Sequence, residues 1–214
     1  MILKGKRLSI LGDSISSYKG ISDDASANST ITGNPYYYRE PFSVEQTYWK
    51  ILLDSLGLTL CVNNSWSGGN LSGKEHEFSG LNRAKHLMRD DGTYPEFIIV
   101  FMGINDLGRG VSPEIFAADY EAALSTLKNL YGDIPVCCVN IPDRDIRLKK
   151  RAELFNEAIS NAAKKMGDGF FVADLFSSRL NNDFYYMNTM DGLHPDPDGM
   201  KIIAEVIKKA IEEA

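Results

Sequence analysis

Residues 7–16 read RLSILGDSIS. A short apolar run ends on a glycine and the polar pair Asp13-Ser14 follows at once, so Ser14 stands either to cap a helix or to attack a substrate. Residues 8–11 read as a buried β-strand, and similar β-rich apolar runs recur at 58–62, 97–102, 136–141 and 170–175, each bounded by Gly, Pro, Asp or Asn. Stretches with helical spacing lie at 46–56, 81–89, 113–130, 148–166 and 199–211, and Ser112-Pro113 supplies an N-cap followed by proline at the first helical position. Strands alternating with helices require parallel pairing with right-handed crossovers, which predicts a three-layer α/β/α sandwich around a five-stranded parallel sheet. Ligands of such sheets bind beyond the carboxyl ends of the strands, and Ser14 comes just past the end of the first.

A chain of 214 residues, 43% of them hydrophobic, suffices for one sizeable core, and no repeat, low-complexity tract or linker divides it, so residues 1–214 are expected to form a single domain. The formal charge of −6 and the dispersal of Lys and Arg among acids exclude a nucleic-acid partner, which needs a basic face. Cys61, Cys137 and Cys138 fall in apolar runs without paired spacing and read as core thiols, not a disulfide framework. Lys4, Lys6 and Arg7 precede an apolar run of only a few residues, and no apolar stretch reaches membrane-spanning length, so no membrane partner and a cytoplasmic location are expected. The irregular stretch 18–43, with Gly20, Gly33, Pro35, Tyr36, Tyr37, Tyr38 and Pro41, is too long for a connector and is expected to form a pocket wall or lid.

Three further segments end on the same edge as Ser14. In VNNSWSGGNLSG, after the second strand, Gly68 and Gly69 can bring a bare backbone N–H close to a ligand. After the third, FMGINDLG offers Gly103 for the turn and Asn105 as a neutral side-chain donor. Taken singly these are ordinary strand-to-loop turns. The fourth segment, MDGLHPDPDG before the last helix, holds Asp191 three residues ahead of His194, a spacing that lets the carboxylate reach Nδ1, leave Nε2 free and stabilise an imidazolium.

These four segments resemble the consensus blocks of the SGNH hydrolases, the GDSL lipase/acylhydrolase family: Gly12-Asp13-Ser14, then Gly68 in NNSWSGG, then Gly103-Ile104-Asn105-Asp106, then Asp191-Gly192-Leu193-His194. The blocks stand in family order across nearly the whole chain. The resemblance implies a flavodoxin-like sheet, with Ser14 as nucleophile, His194 as general base and then acid, and Asp191 as its orienting partner. It also implies an oxyanion hole made by the amides of Ser14 and Gly68 and the Asn105 side chain. Gly68 is preferred to Gly69 from its offset after Asn63. The aromatic insertion after the first block is not a general feature of the family.

The implied chemistry is hydrolysis of a small-molecule ester through an acyl-enzyme, without metal or organic cofactor. A short acyl group is expected, with acetyl on a carbohydrate as the case in view, because no long apolar segment suggests a lipid-binding lid. Tyr37 and Trp66, within a set that includes Tyr36, Tyr38 and Trp49, are the expected substrate contacts, while Trp49 on its helix reads as packing. His76 lies between Glu75 and Glu77 without converging metal spacing, and His86 with Arg83, Lys85 and Arg89 reads as a solvated helix face. The charge run DRDIRLKKR reads as a loop and exposed first turn, although Asp143 and Arg144 follow the fourth strand, where they can touch substrate, and Asp13 and Asp106 are read as shaping their turns. Two other classes compete. A non-catalytic phosphate-binding α/β protein would bind an anion at Gly12–Ser16 but gives no reason for the Asp191/His194 pair. A phosphoesterase would need carboxylate and histidine ligands around a metal.

Overall fold

The computed structural model describes residues 3–21, 36–37 and 42–214, the side chains of 182–184 excepted. Most of the expected pocket wall at 18–43 lies outside the described residues. Five strands, β1 (Arg7–Gly12), β2 (Thr59–Ser65), β3 (Phe97–Phe101), β4 (Val136–Val139) and β5 (Phe170–Ala173), form one parallel sheet in the order β2-β1-β3-β4-β5. β3, FIIVF, is buried along its whole length, as expected of a central strand covered on both faces. The register pairs Gly12 with Ser65 on one side and with Phe101 on the other, so three strands end level. At that level the chain leaves the sheet and the polar turns begin.

Seven helices accompany the sheet among the described residues: α1 (Tyr48–Leu56), α2 (Gly80–Arg83), α3 (Ile104–Arg109), α4 (Pro113–Tyr131), α5 (Lys149–Met166), α6 (Asn182–Met187) and α7 (Pro197–Glu213). α1 packs with α7, and α4 packs with α5 and α2, giving the helical layers of an α/β/α sandwich. The buried hydrophobic residues form one cluster that includes Cys137 and Cys138; all three cysteines are buried and free. α4 starts as the sequence predicts, with the Ser112 hydroxyl accepting from the Ile115 amide and Pro113 in the first turn.

Two elements differ from expectation for identifiable reasons. β2 runs on through Asn63, Asn64 and Ser65, polar residues that ordinarily mark a strand's end. They are buried because each finds a partner: Asn63 Nδ2 donates to Ser16 O (2.9 Å), Asn64 Nδ2 to His86 O (3.0 Å) and Ser65 Oγ to Asn63 Oδ1 (2.5 Å). The helix expected at 81–89 is instead the single turn α2. Groups that would extend it are taken by other elements, with the Tyr131 hydroxyl accepting from the Leu87 amide (2.9 Å) and His86 O accepting from Asn64. α3 and α6 went unrecognised, α3 because its own Gly108 and the glycines at its two ends hide a helical pattern.

Candidate active site

The nucleophile candidate is placed by a close backbone approach at the end of β1. A Cβ on Gly12 would lie 2.5 Å from Ser16 Cβ and 2.5 Å from Ser65 Oγ, so no other residue fits without displacement. Asp13 then caps a 3-10 turn over Ser14–Ser16, its Oδ1 accepting from the Ile15 amide at 3.0 Å. Ser17 Oγ donates to Ser14 O (2.9 Å) and closes the turn. Ser14 takes the first position of that turn, where helical geometry leaves the N–H without an internal partner.

The loop before α7 brings up the other half. Asp191 Oδ1 accepts from the amides of Leu193 (3.0 Å) and His194 (2.8 Å), a tight side-chain turn that sets the carboxylate beside its own histidine. Asp191 Oδ2 lies 2.8 Å from His194 Nδ1, and His194 Nε2 lies 2.9 Å from Ser14 Oγ. An ionised carboxylate only accepts, so Nδ1 carries the ring proton and Nε2 is left to accept from the serine hydroxyl. Burial works against the Asp191 charge, yet the hydrogen bonds from His194, Tyr36 and Leu193 hold the carboxyl well below the usual range. Burial likewise lowers His194 from its ordinary value, opposed by Asp191, so the imidazole is neutral at neutral pH and its Nε2 lone pair is open to a proton.

The loop after β2 supplies the facing wall. Trp66 N–H donates to Gly12 O (3.3 Å), which ties this loop to the base of the serine turn. Gly69 N–H is consumed by Trp66 O (2.9 Å), whereas Gly68, at φ 73°, has an N–H with no acceptor among the described residues. Asn105 Nδ2 donates to Gly69 O (3.0 Å) and faces Asp13 Oδ2 at 3.4 Å, so it sits between the glycine loop and the serine turn. Asp106 does more than shape its own turn: its two oxygens accept from the amides of Leu71 (2.7 Å) and Ser72 (2.9 Å), clamping the glycine loop to α3.

Arg83 corrects the expectation of a solvated helix face. It is 0% exposed, and its guanidinium donates to Phe78 O (2.9 Å), Asn64 O (2.6 Å) and Gly12 O (2.9 Å). The cation is solvated by carbonyl dipoles gathered from β1, β2 and the 73–79 loop, and burial lowers its pKa to about 10, opposed by the Asp13 carboxylate. An arginine held chiefly by backbone carbonyls, with Asn64 Oδ1 (3.2 Å) and Met102 Sδ (3.5 Å) as its side-chain partners, leaves no spacing signal, so sequence reasoning had no means of finding it.

The expected aromatic contacts divide. Tyr37 is 2% exposed, packs on Phe42 and donates its hydroxyl to Pro195 O (2.9 Å), so it is a packing residue and not an open substrate contact. Its neighbour Tyr36 is half-buried, with its ring stacked on His194 (centroids 3.5 Å, planes 11° apart) and its hydroxyl donating to Asp191 Oδ2 (2.7 Å). Trp66 stacks on Phe78 at 4.0 Å and lines a cleft of about 330 Å³ with Gly68, Asn70, His76 and Arg109. Trp49 is buried, its indole N–H on Ser16 O (3.0 Å). Asp143 is buried and paired with Lys149 (3.0 Å). Among the described residues no group of three or more His, Cys, Asp and Glu could hold a metal ion, and no helix is long and apolar enough to cross a membrane.

Residues 10–202 match the model of the GDSL-like lipase/acylhydrolase family. The chain belongs to this family. Its class is that of the carboxylic ester hydrolases. A curated relative, an arylesterase of Vibrio mimicus, is 21% identical over 196 residues, covering 89% of this chain and 90% of the relative. Among solved structures, a Bacteroides ovatus chain described as a GDSL-like lipase superposes with a TM-score of 0.75 at 23% identity, covering 99% of this chain and 100% of that one. A family two carbohydrate esterase of Clostridium thermocellum superposes with a TM-score of 0.68 at 15% identity over 99% of this chain and 64% of its own. The two solved structures share the sandwich fold.

Proposed function

We propose that the chain is a serine esterase that removes a short acyl group through an acyl-enzyme. The observation that carries this reading is the unbroken contact chain from Ser14 Oγ through His194 Nε2 (2.9 Å) and His194 Nδ1 to Asp191 Oδ2 (2.8 Å). A serine hydroxyl is a weak nucleophile at neutral pH, so His194 takes its proton as Oγ attacks the acyl carbonyl. Charge collects on the carbonyl oxygen, toward which the amides of Ser14 and Gly68 are the donors, joined by the Asn105 side chain when it exchanges its long bond to Asp13 Oδ2 for the oxyanion. Each such donor is worth on the order of 3 kcal/mol in other hydrolases. His194 then protonates the leaving alcohol, activates water against the acyl-enzyme, and returns the proton to Ser14.

The acyl group is short and the alcohol part a carbohydrate in this proposal. The cleft beside Gly68 supports it, since it offers the Trp66 and Phe78 rings together with Asn70 and Arg109, apolar faces beside hydrogen-bonding groups as a sugar ring requires. The partner is then a small-molecule ester, with no nucleic acid or membrane. A cytoplasmic location agrees with three cysteines that are buried and free.

The test is release of p-nitrophenol from acetate to octanoate esters, and of acetate from an acetylated oligosaccharide, by wild type, Ser14→Ala and His194→Ala. Activity that both substitutions abolish in folded protein is the expected result. Activity indifferent to Ser14, or none on any ester, would overturn the serine mechanism and favour a phosphate-binding role. Equal or better rates on octanoate would overturn the short-acyl part.

A further inference from the structure

Asp191 is the least protected member of the contact chain, its side chain 42% exposed against 11% for His194. A carboxylate in water is screened and free to rotate, and both weaken its hold on Nδ1. Its four acceptor positions are nevertheless filled. Oδ1 takes the Leu193 and His194 amides, and Oδ2 takes His194 Nδ1 and the Tyr36 hydroxyl (2.7 Å). Three of these donors come from the Asp191–His194 turn itself. The fourth comes from far upstream, in the aromatic insertion, and it brings a ring that lies flat on the imidazole at 3.5 Å.

We propose that Tyr36 is a positioning residue of the ester-hydrolysing machinery, standing in for the burial that Asp191 lacks: its hydroxyl locks the carboxylate on Nδ1, and its ring closes one face of His194 to water. This inference rests on the serine esterase reading above. The tether of Tyr36 supports it, because its own amide donates to Ser17 Oγ (2.7 Å), the same hydroxyl that closes the Ser14 turn. On the other side Tyr37 is held by its backbone to Lys19 (2.9 Å) and by its hydroxyl to Pro195 O (2.9 Å), just past His194. Tyr36 is thus tied to the nucleophile's turn and to the histidine's loop at once. Its ring also gives the imidazolium that forms during attack a π face, which favours the charged form.

The titratable groups facing this pair are Asp191, Tyr36, Tyr37 and, further off, Tyr185 and Asp13, and among the described residues no lysine or arginine pairs with Asp191. The phenol hydrogen bond keeps Asp191 Oδ2 aimed at Nδ1 and so preserves the carboxylate's support of the histidine proton. Tyr36→Phe keeps the ring and deletes that bond, and Tyr36→Leu deletes both.

Two readouts test the proposal. In the first, the side-chain nitrogens of His194 are followed by NMR against pH, the signal being assigned among the three histidines by its absence in His194→Gln. Tyr36→Phe is expected to lower the His194 pKa by about 0.5 unit, because the released carboxylate supports the imidazolium less, the size of a weakened hydrogen bond to a charged group. In the second, kcat on p-nitrophenyl acetate is expected to fall about threefold in Tyr36→Phe and about tenfold in Tyr36→Leu, with KM held within twofold. An unshifted His194 pKa in Tyr36→Phe would overturn the proposal, as would a kcat loss matched by an equal loss of folded protein. The NMR readout needs no turnover. If wild type hydrolyses no ester and the His194 pKa still moves, the esterase reading fails while the coupling of Tyr36 to the Asp191/His194 pair stands.

Discussion

Asp106→Asn separates the oxyanion wall from the rest of the site. Asp106 is fully buried and its two carboxylate oxygens accept from Leu71 N at 2.7 Å and Ser72 N at 2.9 Å, so it is the buried clamp between the loop bearing Gly68 and the helix bearing Asn105, beside the Asn105–Gly69 and Arg109–Asn70 bonds. Burial pushes its carboxyl up, and these amide donors draw it back. In asparagine one oxygen becomes an NH₂ group, whichever way the amide is turned. One buried N–H then loses its acceptor and meets a donor. A buried hydrogen bond to a charged group contributes about 1.5–3 kcal/mol and an orphaned N–H costs a similar amount, so a loss of about 3 kcal/mol is expected. Part of the cost falls on catalysis, because relaxation of the Leu71–Ser72 segment lets Gly68 N–H swing off its aim. Deleting one oxyanion donor outright costs about 100-fold or more in kcat, so loosening it by one step is expected to cost about tenfold, with KM little changed. Urea unfolding followed by tryptophan fluorescence measures the first quantity, and initial rates on p-nitrophenyl acetate measure the second. A variant that loses the stability yet keeps kcat within twofold would refute the link between this clamp and the Gly68 donor.

Three other outcomes follow from the same geometry. His194 must be neutral to accept from Ser14, and burial holds its pKa below the ordinary 6.5, so kcat/KM should stay on its plateau at pH 7 and fall along an acid limb centred below 6.5; a limb centred above 7 would contradict this. The Asp13 carboxyl is raised to about 7, chiefly by burial, so between about pH 4 and pH 7 the folded chain holds a proton that the unfolded chain has released, and its contribution to stability declines as pH rises through that window. Asp13→Asn keeps an oxygen for the Ile15 amide and should be more stable relative to wild type at pH 8 than at pH 5, by up to about 2.7 kcal/mol, roughly two pH units at 1.36 kcal/mol each; urea midpoints at the two values that shift in parallel would be the contrary result. Gly12→Ala must displace Ser16 or Ser65, so a loss of about 2–4 kcal/mol and of most ester hydrolysis is expected, measurable by thermal unfolding and by rates on p-nitrophenyl acetate.

Much of the architecture was legible because it depends on local pattern. The run at 97–102 is apolar without alternation, and 8–11 is so apart from Ser9, a pattern expected of strands buried on both faces in a parallel sheet covered by helices. Capping residues carry the same kind of local information, and α4 begins at Pro113 as its Ser-Pro start requires. The Asp191/His194 pair was likewise visible, since a three-residue spacing in a turn can be judged without knowing the rest of the chain.

What tertiary structure alone decided are the contacts whose partners lie far apart in sequence. Asn63, Asn64 and Ser65 belong to a strand only because Ser16 O and His86 O are brought to them. Arg83 could be buried only where Gly12, Asn64 and Phe78 present their carbonyls together. Adjacent tyrosines in one aromatic run are indistinguishable by residue type, yet one fills the core against Phe42 and the other lies on His194. The sequence by itself determined the sheet, its binding edge and the residue types gathered there, because hydrophobic period and turn chemistry act over a few neighbours. Which side chains fill the remaining hydrogen bonds around that edge was decided by folding, because a buried polar group accepts whichever partner the packed chain sets within reach.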